Sequence, residues 1–133
     1  MLRYLDSVIV IYYLDAADQF HQVAANRLAA LLAAGDEIAV SDLTRLECRV
    51  QPLQQADQQR LALFDQFFSL ADVHLVDLST AVYDRATLIR AQYAFRTTDA
   101  LHLAAAIEAG CGGFLTHDLR LARFTGIPVE ILK

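Results

Sequence analysis

Apolar positions fall in two rhythms along this chain. Short apolar runs of strand length alternate with longer stretches in which apolar residues return every third or fourth position. Leu2–Leu5 predicts a strand ending at Asp6, and Glu37–Val40 a second one running into Ser41-Asp42. Val73–Val76, Gly113–Thr116 and Ile127–Ile131 read as three more. Between them, Asp18–Ala34 carries Phe20, Val23, Ala24, Leu28, Leu31 and Leu32 as one helical stripe, with Gly35 as its stop. Leu43–Val50 predicts a helix halting near Pro52, with Leu43, Leu46, Val50 and Leu53 as its buried stripe. Gln54–Leu70 predicts a longer helix whose Leu61, Phe64, Phe67 and Phe68 share a face, either core or partner surface. Ser79–Gln92 turns Val82, Ala86 and Ile89 inward. Thr98–Ala109 is an Ala-rich helix closed by Gly110, and Leu119–Phe124 a short helical turn. Val8–Leu14 stays ambiguous: its β-branched residues favour a strand, while Ser7 as a cap favours a helix.

Strands alternating with helices predict an α/β fold with a mainly parallel sheet. The 133 residues suit one domain, 1–133. In such sheets ligands sit at the carboxyl ends of the strands, near a switch in strand order.

Composition narrows the function classes. With 56% hydrophobic and 20% charged residues the chain is neither disordered nor collagen-like. The apolar surplus leaves surface to cover, as in a dimer. A formal net charge of −5 argues against binding nucleic acid by bulk charge. It leaves open nucleic acid held through metal ions on carboxylates. Cys48 and Cys111 form no zinc spacing or disulfide framework, which suits a reducing compartment. The opening residues lack a charged stretch followed by an apolar one. The longest apolar run there, Val8–Leu14, is far below the ~18 residues of a membrane span. The expectation is a soluble, cytoplasmic protein with no membrane contact.

The acids carry the candidate chemistry. Asp6 ends the first strand, Asp118 lies two residues past the fourth, Asp99 opens the Ala-rich helix, and Glu47 lies on the helix after the second strand. Strand carboxyl ends and helix amino ends share one rim of a parallel sheet, so these groups can converge. Such a cluster repels itself at neutral pH, and a divalent cation with oxygen ligands resolves the repulsion. Each residue alone has a plainer reading. Asp99 and Asp118 suit helix caps, Asp6 a turn, and Ser7 and Ser41 caps. Glu47 falls at the margin of its helix's apolar stripe, with Arg45 and Arg49 pointing elsewhere. Thr116 places a hydroxyl at a strand end. His102, one turn after Asp99, reads as a core or supporting histidine rather than a ligand, and His117 as a solvated loop residue. Arg45, Arg49 and Arg96 are candidates for phosphate contacts, though surface arginine is the plainer reading.

Four segments together carry a resemblance: Leu5-Asp6-Ser7; Ser41-x-Leu43-Thr44-x-x-Glu47; Thr98-Asp99-Ala100-Leu101-His102-Leu103-Ala104-Ala105-Ala106; and Leu115-Thr116-x-Asp118-x-x-Leu121. In order and over nearly the whole chain, they resemble PIN-domain ribonucleases, above all the VapC-type toxins of bacterial toxin–antitoxin pairs. The resemblance implies a three-layer α/β/α sandwich in which Val8–Leu14 is helical. It implies that Asp6, Glu47, Asp99 and Asp118 form the metal-binding and catalytic set, with Thr116 ordering the site. The activity implied is Mg²⁺- or Mn²⁺-dependent cleavage of RNA, the partner a cognate antitoxin that blocks the site, and the assembly a homodimer. The chain departs from the pattern at His117, where Arg, Lys or Asn is frequent, and in its few basic residues.

Other classes fit less well. A Mg-dependent phosphatase with Asp6 as nucleophile wants a second Asp where Val8 stands, and a phosphate-accepting receiver domain wants a late Lys, whereas Lys133 is terminal and alone. A catalytically inactive PIN-fold module binding RNA or protein is the remaining alternative. The presence of all four acids argues against it.

Overall fold

Residues 1–133 are described by a computed structural model of the chain. Five strands form one sheet in the order β3-β2-β1-β4-β5, with every pairing parallel. They are β1 (Leu2–Leu5), β2 (Glu37–Ser41), β3 (Val73–Val76), β4 (Gly113–Thr116) and β5 (Val129–Ile131). Six helices connect them: α1 (Ser7–Leu14), α2 (His21–Ala33), α3 (Asp42–Gln54), α4 (Gln58–Phe68), α5 (Thr80–Tyr93) and α6 (Thr97–Glu108). A 3₁₀ turn covers Leu119–Arg123.

Alternation along the strands builds two cores, one on each face of the sheet. On one face Tyr4, Ala39 and Phe114 pack with Val82, Ala86 and Ile89 of α5 and the alanines of α6. On the other, Leu5, Ile38, Val40 and Leu115 pack with Ile9 and Val10 of α1, Leu28 and Leu31 of α2, and Phe64, Phe67 and Phe68 of α4. This is the three-layer α/β/α sandwich expected. The small side chains of Ala104, Ala105 and Ala106, all fully buried, let α6 lie close against the sheet. The phenylalanines of α4 are core.

Local chemistry explains most of the boundaries. Gly35 and Gly110, at φ +88° and +74°, sit just past α2 and α6 in the left-handed conformation that glycine adopts freely. The Val8–Leu14 segment is helical from Ser7, overriding its strand propensity. Asp6, not Ser7, caps it: Asp6 Oδ1 accepts from Ser7 N at 2.8 Å. α2 starts at His21 rather than Asp18, because the Asp18 carboxylate accepts from Phe20 N at 2.7 Å and holds a turn there. α4 starts at Gln58, capped by Asp57.

Of the predicted buried stripe of α3, only Leu43 packs against the core. Leu46, Val50 and Leu53 are exposed, and Thr44, Cys48 and Pro52 face inward. The inner face is nearly half polar, so apolar spacing pointed to the outer one. The helix also runs past Pro52 to Gln54, since a proline near its end removes only a single backbone donor.

Candidate functional site

Asp6 and Thr116 stand at the carboxyl ends of β1 and β4, the adjacent strands at which the chain switches from building one half of the sheet to the other. A cleft of about 420 Å³ opens there, lined by Asp6, Glu47, Asp99 and Asp118. Four segments far apart in sequence thus bring their carboxylates to one rim, together with His102 and Arg96.

Asp6 is tied into the sheet. Its Oδ2 accepts from Thr116 Oγ1 at 2.7 Å and its Oδ1 from Ser7 N. The same Thr116 oxygen accepts from Asp118 N at 3.1 Å, tying β1 to the loop after β4 through one hydroxyl. Burial pushes the Asp6 carboxyl above its ordinary pKa, against the lowering influence of His102 and Thr116.

Glu47 projects from the inner edge of α3, beside Cys48 and one turn from Thr44. Its Oε1 accepts from Ser7 Oγ at 2.8 Å and lies 2.5 Å from His102 Nε2. Burial opposes its charge, but the hydrogen bond and charge of His102, with Ser7, outweigh burial and hold the carboxyl below its usual range. His102 is fully enclosed, and its other nitrogen, Nδ1, lies 2.7 Å from the Tyr4 hydroxyl. Tyr4 in turn reaches Ser41 Oγ at 2.8 Å. Buried polar groups at the ends of β1, β2, α3 and α6 are therefore satisfied by one another.

Asp99 and Asp118 form the other half. Asp99 lies in the first turn of α6 and is buried, yet it does not cap the helix. Instead Arg96 grips it through two bonds, Nε–Oδ2 at 3.0 Å and Nη2–Oδ1 at 3.2 Å. Asp118 does cap the 3₁₀ turn, accepting from Arg120 N at 3.0 Å, and takes the Arg120 guanidinium as well. Its carboxyl is held below its ordinary value by the hydrogen bond to Arg120.

Two residues of the cleft differ from the sequence reading. Ser7 is a ligand of Glu47 rather than a cap. His117 is not simply solvated: its Nδ1 lies 2.8 Å from the Tyr12 hydroxyl, and its ring packs edge-on against Phe20. Arg45 and Arg49 stay outside the cleft, paired with Asp42 and Asp65. Arg120 and Tyr4 were not singled out in the sequence. Alternation along β1 does point Tyr4 to the α6 side, but nothing in the periodicity marks Arg120.

Oxygen-only donors of this kind suit a hard divalent cation. In this arrangement no three Asp, Glu, His or Cys groups stand at ligation distance from a common point, and Asp99 and Asp118 are both held by arginines.

The sequence matches the family model described as the PIN domain over residues 3–127. The chain belongs to the PIN domain family. No curated protein sequence matches it significantly. Among solved structures, it is similar to VapBC2 from Rickettsia felis bound to a DNA fragment from its promoter. The TM-score is 0.82, with 19% identity and 100% of each chain covered. DNA-bound VapBC from Salmonella typhimurium gives a TM-score of 0.79 at 20% identity, again over 100% of both chains. Mycobacterium tuberculosis VapC20, a sarcin-ricin loop cleaving toxin, gives 0.74 at 14% identity, over 95% of this chain and 98% of that one. At these identities the likeness is one of fold.

No helix of this PIN domain is long and apolar enough to cross a membrane.

Proposed function

We propose that this PIN domain is a metal-dependent endoribonuclease, the toxin of a type II toxin–antitoxin pair acting in the cytoplasm. The observation that carries the proposal is the convergence of Asp6, Glu47, Asp99 and Asp118 on one cleft at the switch point of the sheet. The reaction is hydrolysis of an RNA phosphodiester bond by water, leaving a 5′-phosphate and a 3′-hydroxyl.

Asp6, Asp99 and Asp118 would hold Mg²⁺ or Mn²⁺, with Glu47 bound directly or through water. A divalent cation there supplies Lewis acidity toward a phosphoryl oxygen and eases deprotonation of water. The donor set fits: it is all carboxylate, and Asp6 carries a charge that its surroundings oppose until a cation arrives. Thr116, with Ser7 N, fixes the orientation of the Asp6 carboxylate. Ser7 and His102 keep Glu47 ionised and aimed at the cleft.

The partner proposed is a cognate antitoxin. A groove of about 250 Å³ between α1, α2 and α4 supports it, being lined by Tyr13, Leu14, Leu28, Leu32, Leu63 and Phe67 among others. The outer face of α3, with Leu46 and Leu53 each 58% exposed, supports a homodimer. Both are the kind of apolar surface that a lone soluble chain rarely leaves uncovered.

Incubation of the purified chain with a mixed RNA pool tests the activity. Cleavage that needs Mg²⁺ or Mn²⁺, stops with EDTA and is abolished by Asp99→Asn, with the variant still folded by circular dichroism, is the expected result. Cleavage at the wild-type rate by Asp99→Asn, or in EDTA, overturns the proposal.

A further inference from the structure

The two halves of the acidic cleft are neutralised in different ways. Asp6 and Glu47 are met by hydroxyls and by His102, all built into the core. Asp99 and Asp118 are met by two arginines, and each arginine reaches both aspartates. Arg96 binds Asp99 through two bonds and stands 3.8 Å from Asp118 Oδ2. Arg120 binds Asp118 and stands 3.6 Å from Asp99 Oδ2. The exposures are opposed: the Asp99 and Asp118 side chains are 7% and 24% exposed, those of Arg96 and Arg120 64% and 56%. The aspartates are fixed and the arginines sit on them from the solvent side.

We propose that Arg96 and Arg120 are exchangeable counter-ions of the Asp99–Asp118 pair, which yield these carboxylates to a divalent cation and then take the phosphates of the RNA backbone. This deepens the nuclease reading and rests on it.

Three features support the exchange. The arginines compete with a cation for the pair, since all four of its carboxylate oxygens accept from a guanidinium. Release leaves no bare charge, because both guanidiniums already face water and the incoming cation takes over the poorly solvated carboxylates. The released fork also matches phosphate as it matches carboxylate, through paired N–H donors in one plane. A phosphodiester brought to the cleft would otherwise meet a wall of acids. In a chain of net charge −5, these are the guanidiniums placed to offset that repulsion. Arg96 and Arg120 would thus oppose the cation in the empty site and favour the substrate in the loaded one.

These two effects have opposite signs, which a merely structural role does not produce. Mn²⁺ binding to the full chain, without RNA, is measured by calorimetry for wild type, Arg96→Ala/Arg120→Ala and the bulkier neutral pair Arg96→Gln/Arg120→Gln. KM and kcat are measured on a single-stranded RNA at saturating Mn²⁺. The expected result is Mn²⁺ binding tighter by about 10-fold in both double variants, with KM for RNA raised about 10-fold or more and kcat changed less. Mn²⁺ affinity unchanged or weakened in the folded Gln pair overturns the exchange, as does tighter Mn²⁺ with an unchanged KM. An Asp99→Asn control separates the failures. If Asp99→Asn leaves the wild-type Mn²⁺ isotherm intact, the metal site itself is wrong. If it abolishes binding while the arginine variants behave as wild type, only the exchange is wrong.

Discussion

His102 Nε2 stands 2.5 Å from Glu47 Oε1 and joins α6 to α3 across the floor of the cleft. Its Nδ1 is anchored on the Tyr4 hydroxyl at 2.7 Å, so the ring cannot turn without giving up that buried hydrogen bond. The position of the Glu47 carboxylate is thereby set by the packing of an aromatic residue in the central strand.

His102→Ala removes the shortest partner of Glu47 and leaves the Tyr4 hydroxyl with Ser41 alone at close range. Loss of such support around a metal ligand costs roughly 10–100-fold in metal affinity or activity, and the lost buried hydrogen bonds cost about 1–3 kcal/mol of stability. His102→Gln places an N–H near the old Nε2 and is expected to recover part of the activity. Urea unfolding and RNA cleavage of the two variants check this; equal cleavage by Ala and wild type contradicts it.

Asp6→Asn separates stability from function. Burial raises the Asp6 pKa, so the folded chain holds this proton more tightly than the unfolded one. Stability of the metal-free protein therefore falls as pH rises from the ordinary carboxylate value up through the raised one, and the deficit persists at neutral pH. Asn keeps the acceptor for Ser7 N and turns its amide toward the Thr116 oxygen. At pH 7 without metal, Asp6→Asn is expected to melt about 2–6 °C higher than wild type, and not to cleave RNA. Added Mn²⁺ is expected to raise the melting temperature of wild type and not of the variant. A variant that melts lower than wild type at pH 7 contradicts this.

Ala94 ends α5 at φ +57°, in the left-handed region where a Cβ is strained. Ala94→Gly relieves that strain and is expected to stabilise the chain by about 0.5–1 kcal/mol, read from the urea midpoint. The RNA cleavage rate should not change, since Ala94 lies outside the cleft.

The sheet was legible because its strands are short apolar runs with clear ends. Leu2–Leu5, Val73–Val76 and Gly113–Thr116 fall where the pattern put them. Helix starts were less so, since side-chain turns at Asp18 and Asp57 delay α2 and α4. The α3 face misled because its inner side is built from Thr44, Cys48 and Pro52, while Leu46, Val50 and Leu53 face out. Glu47 still reaches the cleft, because it lies beside the inward Cys48 and one turn from Leu43, which packs against the core. Convergence of the acids followed from topology: strand ends and helix starts share a rim. What occupies those acids did not follow. The grip of Arg120 on Asp118 and Asp99 depends on the 3₁₀ turn that folds it back, and no periodic signal encodes that turn.

Crystals of the wild-type chain soaked in Mn²⁺ and measured at the manganese edge test the metal site most directly. The expected result is an anomalous peak in the cleft about 2.0–2.3 Å from oxygens of Asp6, Asp99 and Asp118, with Arg96 and Arg120 swung away. An empty cleft at saturating Mn²⁺, with both arginines still on their aspartates, contradicts it.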